Sequence, residues 1–329
     1  MDYYADGSSL ISIGGSDRFL LLRPDGVPPE GLDAEVTVLR QPLDNIYLAA
    51  SSAMDFFRAL DQLDRVRLTS TSVANWSIPE VLAALDSGNL LYAGRYSAPD
   101  YELLLDQGTG LAIESTMIYH TPEVGEQLRE LGIPVLVERS SYEPHPLGRM
   151  EWIKLYGLLT GKEDEAVAFF DQQMAQLAPI LETEQTESGP SVAFFYISSS
   201  GYANVRKSED YISKLIEMAG GRYVFSDLDA GGNDLSTINM QLEAFYARAR
   251  DADILIYNST IDAELGTLDE LLRKSELLSD FKAFQSGDVW CTGKDLFQQP
   301  TGLGDLLVDF HSVISGQAGN RLTFLHRLT

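Results

Sequence analysis

The feature that most constrains the fold is a regular alternation of short apolar stretches with segments of helical spacing. From Val36 onward, the apolar runs LLYAG and LAIE each precede such a segment, PDYELLLDQ and TPEVGEQLRELG, and a second series of the same kind begins at SVAFFYIS. Strands that alternate with helices favour parallel sheets with right-handed crossover connections. The sequence therefore predicts an α/β fold with mainly parallel sheets.

A long helical segment separates the two series. Residues 163–187 carry apolar residues at helical spacing together with strong helix formers, and no partner strand precedes the polar TEQTESGP. The chain of 329 residues, 44% of them hydrophobic, is long enough for two lobes. We expect two Rossmann-like lobes, residues 1–162 and 188–329, joined by one long linking helix over 163–187.

The first lobe begins with two strand-like runs around the pair Gly14-Gly15, in SLISIGGSDRFLLLRPDG. Two such runs joined by a glycine-containing turn predict a β-hairpin. We interpret this N-terminal hairpin as a decoration at the edge of the first lobe.

The charge balance argues against two classes of partner. The formal net charge is −25, from 49 acidic and 24 basic residues, whereas nucleic acid or an anionic lipid surface requires a basic footprint. The single Cys291 forms no internal disulfide and is interpreted as a buried, inert thiol. The N-terminal MDYYADGSSLISIGG lacks the regions of a signal peptide, and no apolar run reaches about 18 residues. We expect either a cytosolic protein or a numbering that begins after a removed export signal.

Sequence motifs of the common enzyme classes are absent. The glycine pairs do not form G-x-G-x-x-G, there is no P-loop, and G-x-S-x-G and H-E-x-x-H do not occur. The four histidines are scattered without the local signature of a triad. We therefore expect a protein that is not an enzyme, and the alternative is an α/β enzyme that uses Glu114, His120 or His145.

Polar and aromatic residues collect where the predicted strands end, and this is the edge at which open α/β sheets place their ligands. Guanidinium groups grip oxyanions, and tyrosines supply flat apolar faces with a hydroxyl group. The pattern favours a fairly large anionic ligand held between the lobes, although each arginine could instead form a surface ion pair. The candidate ligand-binding residues are Tyr47, Arg95, Tyr96, Glu114, Tyr119, His120, Arg139, Tyr142, His145, Arg149, Tyr202, Asn204, Arg206, Lys207, Asn258, Lys294 and Phe297.

The segment DYISKLIEMAGGRYVFSDL, Asp210 to Leu228, resembles the helical-backbone (class III) substrate-binding proteins of ABC importers, whose second lobe carries a helix that ends in Ala-Gly-Gly. Gly220 can close that helix in the left-handed conformation. Three further segments resemble the same family: AGRYSAPDYELLLDQGTGLAI, LRELGIPVLVE and GLLTGKEDEAVAFFDQQMAQL. Together the similarity extends from about Val36 to Gly316.

The resemblance implies an extracytoplasmic protein, on the cell surface as a lipoprotein or in the periplasm, whose export signal is not present in this sequence. It implies a monomer without a cofactor that captures an iron complex, foremost a ferric siderophore, in the cleft between the lobes and delivers it to a permease dimer. Haem, cobalamin, an oxyanion or a metal bound directly by Glu114, Glu143, His120 and His145 are alternatives, and an adhesion or sensor module of the same fold is a third.

Two glutamates occupy matching places in a helix-then-strand unit that occurs twice, in APDYELLLDQGTGLAIEST and MQLEAFYARARDADILIYNST. By position, Glu102 and Glu243 match the family's surface glutamates that dock onto arginines of the permease. The alternative is a local role, because acids in a first helical turn favour the helix dipole and Ser97 with Asp100 could form a capping box.

Overall fold

The computed structural model describes residues 1–15, 17–182, 189–228, 236–319 and 321–329. The chain divides into two compact units. Unit 1 comprises Met1–Glu143, Glu151–Asp171 and Gln298–Thr301, and unit 2 comprises Pro144–Met150, Gln172–Phe297 and Gly302–Thr329. The lobe boundaries at 162 and 188 stay predictions, and residues 183–187 of the predicted linking helix lie outside the described residues.

From Ile46 onward, helices recur between the strands as the sequence predicts, whereas the strands before Ile46 follow one another without a helix. The first half contains the strands β1 (Asp2–Tyr3), β2 (Ser9–Ile13), β3 (Asp17–Leu22), β4 (Val36–Arg40), β5 (Ile46–Leu48), β6 (Val66–Thr69), β7 (Leu91–Tyr92), β8 (Gly94–Arg95), β9 (Ala98–Pro99), β10 (Ala112–Ser115) and β11 (Val135–Glu138). Its helices are α1 (Met54–Ala59), α2 (Pro79–Asp86), α3 (Tyr101–Asp106), α4 (Pro122–Glu130), α5 (Pro146–Glu151), α6 (Ile153–Thr160) and α7 (Glu163–Leu181).

The second half repeats this alternation. Its strands are β12 (Ser191–Ile197), β13 (Tyr202–Arg206), β14 (Arg222–Tyr223), β15 (Thr237–Gln241), β16 (Ile254–Tyr257), β17 (Val289–Thr292) and β18 (Leu325–Arg327). Its helices are α8 (Tyr211–Met218), α9 (Leu242–Ala249), α10 (Leu268–Leu272), α11 (Lys282–Ser286) and α12 (Leu303–Ile314). Short 3-10 turns lie at Ser51–Ala53, Leu63–Arg65, Val73–Asn75, Thr116–His120, Ser140–Tyr142, Glu276–Asp280, Leu296–Gln298 and Pro300–Gly302.

The main sheet of unit 1 is parallel, with the strand order β11-β10-β5-β6-β7. Its strands are covered on both faces. On one face Leu48 and Ile113 share a core with α1 and α6, and on the other face Tyr47 and Ala112 share a core with α3 and α4. Parallel sheets need such double coverage because their crossover helices lie on both sides.

The sheet of unit 2 has the order β15-β13-β12-β16-β17-β18, and β14 pairs with β12. Strands β12, β16 and β17 are parallel neighbours, and β13 and β18 pair with β12 and β17 in antiparallel fashion. β15 pairs antiparallel with β13. The predicted α/β fold with mainly parallel sheets is confirmed. The antiparallel strands at the edges of this sheet were not part of the prediction.

The N-terminal hairpin forms, with Ser9 of β2 opposite Leu21 of β3. It is one part of a larger sheet, because β1 pairs with β2 and β4 pairs in parallel with β3. Ile11 and Phe19 are buried in the same core as α1 and α6. The N-terminal sheet is therefore anchored in the core of unit 1.

The sequence predicted the residue that ends α8 but not the residue that caps the start of α3. Gly220 closes α8 with a φ of +91°, as predicted. At α3, Asp100 is itself the N-cap, and its carboxylate accepts a hydrogen bond from the Leu103 amide at 3.0 Å. The proposed capping box of Ser97 with Asp100 is therefore wrong, because Ser97 belongs to the turn between β8 and β9.

A late segment of the chain, Gln298–Thr301, belongs to unit 1 and is fixed there by polar contacts. The Gln298 side chain accepts from the Ser77 amide at 3.0 Å and donates to the Asn75 carbonyl at 2.7 Å. Thr301 donates to the buried Asp55 carboxylate from its amide at 2.9 Å and from its hydroxyl at 2.5 Å. These bonds join parts of the sequence more than 200 residues apart.

We predict that Thr301→Val destabilises the protein by about 1–3 kcal/mol, because the Asp55 carboxylate loses a donor in a buried site. Urea unfolding followed by circular dichroism measures this loss. The matched control is Thr37→Val, at a half-buried position of β4. Equal losses in the two variants would contradict the role of the buried bond.

Candidate functional site

In unit 1, the turns that follow β10 and β11 lie side by side. The chain forms the turn Thr116–His120 after β10 and the turn Ser140–Tyr142 after β11. The Thr116 Oγ1 and the Tyr142 hydroxyl are 3.0 Å apart and share a hydrogen bond. Since β10 and β11 are parallel neighbours, their carboxyl ends meet at one edge of the sheet. This edge brings the predicted residues Tyr119, Arg139 and Tyr142 together.

Arg139 is the centre of this group. Its Nη2 donates a hydrogen bond to the Tyr119 hydroxyl, and its Cζ lies 5.6 Å from the centroid of the Tyr119 ring. The Asp17 carboxylate is 3.9 Å from Nη2, a loose ion pair. Within the described part of the chain, the buried Nε has no hydrogen-bond partner. Tyr119 and Tyr142 are 53% and 62% exposed, so the arginine lies beside open aromatic surface.

Unit 2 holds a second group of cations and rings. The Arg149 Cζ lies 3.9 Å from the centroid of the Tyr211 ring, and the Arg206 Cζ lies 4.7 Å from that of Phe297. Tyr211 and Phe297 are in edge contact at 6.4 Å. The group therefore unites the predicted residues Arg149, Arg206 and Phe297.

Asp210 supplies the negative charge in the second group. Its Oδ2 is 3.6 Å from the Arg206 Nη1, and its Oδ1 accepts from the Ile212 amide at the start of α8. Burial raises the pKa of Asp210, and the charges of Arg206 and Arg149 oppose that rise. The sequence interpretation missed Asp210 and Tyr211 as members of the site. The signal for Asp210 is its place directly before an amphipathic helix, where an N-cap is expected.

Several predicted residues are buried and offer no open surface to a ligand in this structure. Tyr47 and Glu114 lie inside the core beneath α3 and α4, and Asn258 is 2% exposed. The side-chain Oδ1 of Asn258 accepts hydrogen bonds from the Thr260 amide and hydroxyl, so this side chain stabilises the turn that follows β16. Tyr47 and Glu114 lie within β5 and β10, where both faces of the sheet are covered, and Asn258 directly follows β16.

The other predicted residues lie on separate elements. Arg95 is exposed in the small β8–β9 pair, and Tyr96 packs against the core beneath α3. The Asn204 side chain donates to Asn239 of β15 at 2.9 Å, and Tyr202 lies two residues before it on β13. The remaining four are Lys207, which is buried, and His120, His145 and Lys294, which are exposed.

A directly bound metal was an alternative from the sequence. Across the described ranges, no three histidine, cysteine, aspartate or glutamate side chains are placed to hold a metal ion. Glu143, one of the four residues that the sequence suggested as metal ligands, accepts a hydrogen bond from the Trp152 indole at 2.8 Å.

Among the residues with described positions, no helix combines the length and apolar character needed to cross a membrane.

The repeated helix-then-strand unit is present in both units of the structure. Helix α3 leads into β10, which lies between β5 and β11, and α9 leads into β16, which lies between β12 and β17. Glu102 and Glu243 are exposed in the first turns of α3 and α9. The two glutamates therefore occupy equivalent places, one on each unit.

No family model matches the chain. An uncharacterized lipoprotein of Methanocaldococcus jannaschii is 25% identical over 296 residues, which cover 85% of this chain and 68% of the relative. A second uncharacterized lipoprotein of that organism is 23% identical over 326 residues, which cover 95% of this chain and 79% of the relative.

Solved structures also match most of the chain. A periplasmic binding protein from Veillonella parvula has a TM-score of 0.67 at 14% identity and covers 94% of this chain and 98% of its own. The periplasmic catecholate-siderophore binding protein of Vibrio cholerae has a TM-score of 0.65 at 14% identity, with coverage of 83% and 95%. A periplasmic haem-binding protein from Pseudomonas aeruginosa has a TM-score of 0.63 at 16% identity, with coverage of 87% and 98%.

The chain has the class III substrate-binding protein fold. This confirms the fold that the resemblance implied from the Ala-Gly-Gly helix end and the order of the other segments.

Glu114 of β10 is an acidic side chain buried in the core of unit 1. It is fully buried, and neither carboxylate oxygen has a hydrogen-bond partner among the described residues. Desolvation raises its pKa from the ordinary 4.5 to about 8. The native state therefore holds this proton between those pH values while the unfolded state has lost it, so stability falls as pH rises from about 4.5 to about 8 and then levels off.

We predict that Glu114→Gln removes this pH dependence. The variant should be more stable than the parent protein above pH 8, by on the order of 2–4 kcal/mol, and the difference should shrink towards pH 5. Urea unfolding at a series of pH values measures the effect. Glu123→Gln, at an exposed position of α4, is the control and should follow the parent curve. Parallel curves for Glu114→Gln and the parent would contradict a buried neutral acid.

Proposed function

We propose that this protein is the extracytoplasmic substrate-binding component of an ABC importer and that it captures an iron complex, foremost a ferric siderophore, for delivery to a permease dimer. The observation that carries the proposal is the pair of arginine groups, one on each unit. Each group sets one or more guanidinium cations against aromatic rings. The class III fold supports the assignment to import.

The chemistry of ferric chelates suits these groups. Iron(III) prefers hard oxygen donors such as catecholate, hydroxamate and carboxylate. Its complexes with catecholates and with polycarboxylates carry negative charge on their oxygens. Arginine binds such oxygens through a planar array of donors, and the Arg139 side chain is 29% exposed. The exposed rings of Tyr119 and Tyr142 supply flat apolar contact for the organic part of the chelate.

Similar proteins support the same class of ligand and the same compartment. The solved neighbours include proteins named for catecholate siderophore and for haem. The two M. jannaschii relatives are named as lipoproteins, which supports a place outside the cytoplasm at the membrane surface. Haem, cobalamin and simple oxyanions are the competing ligands, and an α/β enzyme is the competing class.

We predict that a ferric chelate raises the melting temperature and changes the tryptophan fluorescence of the protein. Arg139→Ala and Arg206→Ala should each weaken binding about tenfold or more, because each removes charge-assisted hydrogen bonds to the ligand. Isothermal titration with ferric siderophores, haem, cobalamin and phosphate measures the affinities. Arg273→Ala, at an exposed position that follows α10, is the control.

Two results would contradict the proposal. The first is an unchanged melting temperature and fluorescence with every compound of the panel. The second is recovery of a chemically altered ligand after incubation, since turnover would indicate the enzyme.

The docking role of Glu102 and Glu243 makes a separate prediction. Replacing either glutamate by arginine should leave chelate affinity unchanged and abolish uptake, because the exposed carboxylates would face arginines of the permease. Uptake of radioactive iron by cells that produce the protein with its permease measures transport. Glu126→Arg on the exposed face of α4 should retain both properties. Undiminished uptake by both variants would contradict the docking role and would favour a sensor or adhesion module.

A further inference from the structure

The turn of the N-terminal hairpin lies against Arg139. A Cβ atom added to Gly14 would lie 2.8 Å from the Arg139 Cζ and would also collide with Nη1. Asp17, the first residue of β3, places its carboxylate 3.9 Å from Nη2 of the same arginine. The hairpin therefore approaches the guanidinium with the backbone of Gly14 and with the carboxylate of Asp17.

Gly14 meets two requirements at once. Its φ of +59° is in the left-handed region, which favours glycine, and its missing side chain leaves room for the guanidinium. Gly15 meets only the first requirement. Its φ is +79°, and a Cβ added there would have nothing within 4 Å. The close approach is therefore specific to Gly14.

The hairpin is well placed to hold a side chain still. Ile11 and Ile13 of β2 and Phe19 of β3 are buried in the core of unit 1. The Tyr119 hydroxyl accepts a hydrogen bond from Nη2 of the same guanidinium. Arg139 is thus confined by contacts with Gly14 and Asp17 of the anchored hairpin and with a tyrosine. An arginine that is confined before the ligand arrives loses less conformational freedom on binding an anion.

We propose that the N-terminal hairpin, through Gly14 and Asp17, positions Arg139 and so determines which oxyanion groups unit 1 accepts; this inference rests on the proposed function. The loose Asp17 pair leaves the guanidinium able to exchange that carboxylate for an oxygen of the ligand. The hairpin is a positioning element, since Gly14 and Asp17 act through Arg139. It is therefore more than the decoration that the sequence interpretation made of it.

The test compares Gly14→Ala with Gly15→Ala. Both variants put alanine into a left-handed turn position, but only the first adds an atom against Arg139. The direct measurement is the NMR signal of the Arg139 Nε–H group, assigned with Arg139→Lys. We expect Gly14→Ala to move this signal and Gly15→Ala to leave it in place. The same signal in all three proteins would overturn the inference, whatever the binding results.

Affinity for ferric citrate is the second measurement. We expect Gly14→Ala to weaken binding about tenfold or more and Gly15→Ala to weaken it less than twofold. Equal affinities of the two variants would overturn the role in ligand binding. If the Arg139 signal moves while the parent protein binds no ferric chelate of the panel, the positioning stands and the proposed function fails.

Asp17→Ala provides an independent variant should Gly14→Ala fail to fold. It removes the carboxylate beside Nη2 and leaves the backbone of the turn unchanged. We expect it to move the Arg139 Nε–H signal and to change the affinity for ferric citrate. An unmoved signal in Asp17→Ala would overturn the inference by itself.

Discussion

The parallel alignment of three neighbouring strands in each unit is the constraint on which the rest of the structure depends. β5, β10 and β11 in unit 1 and β12, β16 and β17 in unit 2 run side by side in the same direction. Parallel neighbours are connected in sequence by a helix that packs on the sheet, so both faces of the sheet become core. The side chains that can bind a ligand therefore lie at the carboxyl ends of the strands. In unit 1 this is where Tyr119, Arg139 and Tyr142 meet.

This constraint explains why the sequence predicted so much of the fold. The alternation of apolar strands with helical segments determines parallel sheets, and the left-handed glycine at the end of α8 needs only local geometry. The same logic selected Tyr119 and Arg139 as candidate ligand residues. It also selected Arg149, which was assigned to the first lobe and lies in unit 2, and Arg206. The ring contacts of these two arginines with Tyr211 and Phe297 join distant parts of the sequence, and no local pattern predicts them.

The burial of some candidate residues has the same physical origin. Both faces of a parallel sheet are core, so Tyr47 and Glu114, which lie within β5 and β10, are buried. Contacts between distant parts of the chain leave no periodic signal. The bond of Thr301 to Asp55 and the approach of Gly14 to Arg139 are of this kind. The sequence therefore led us to interpret the hairpin as a decoration, whereas in the structure it lies beside the candidate ligand residue Arg139.

The central claim is that this protein captures a negatively charged ferric chelate through arginines. Native mass spectrometry, after incubation with a mixture of ferric siderophores, haem and cobalamin followed by desalting, tests it most directly. The account predicts a one-to-one complex with the mass of a ferric chelate, which is lost when Arg139 and Arg206 are both replaced by alanine. A protein that emerges at its unliganded mass, or a complex that persists in the double variant, would contradict it.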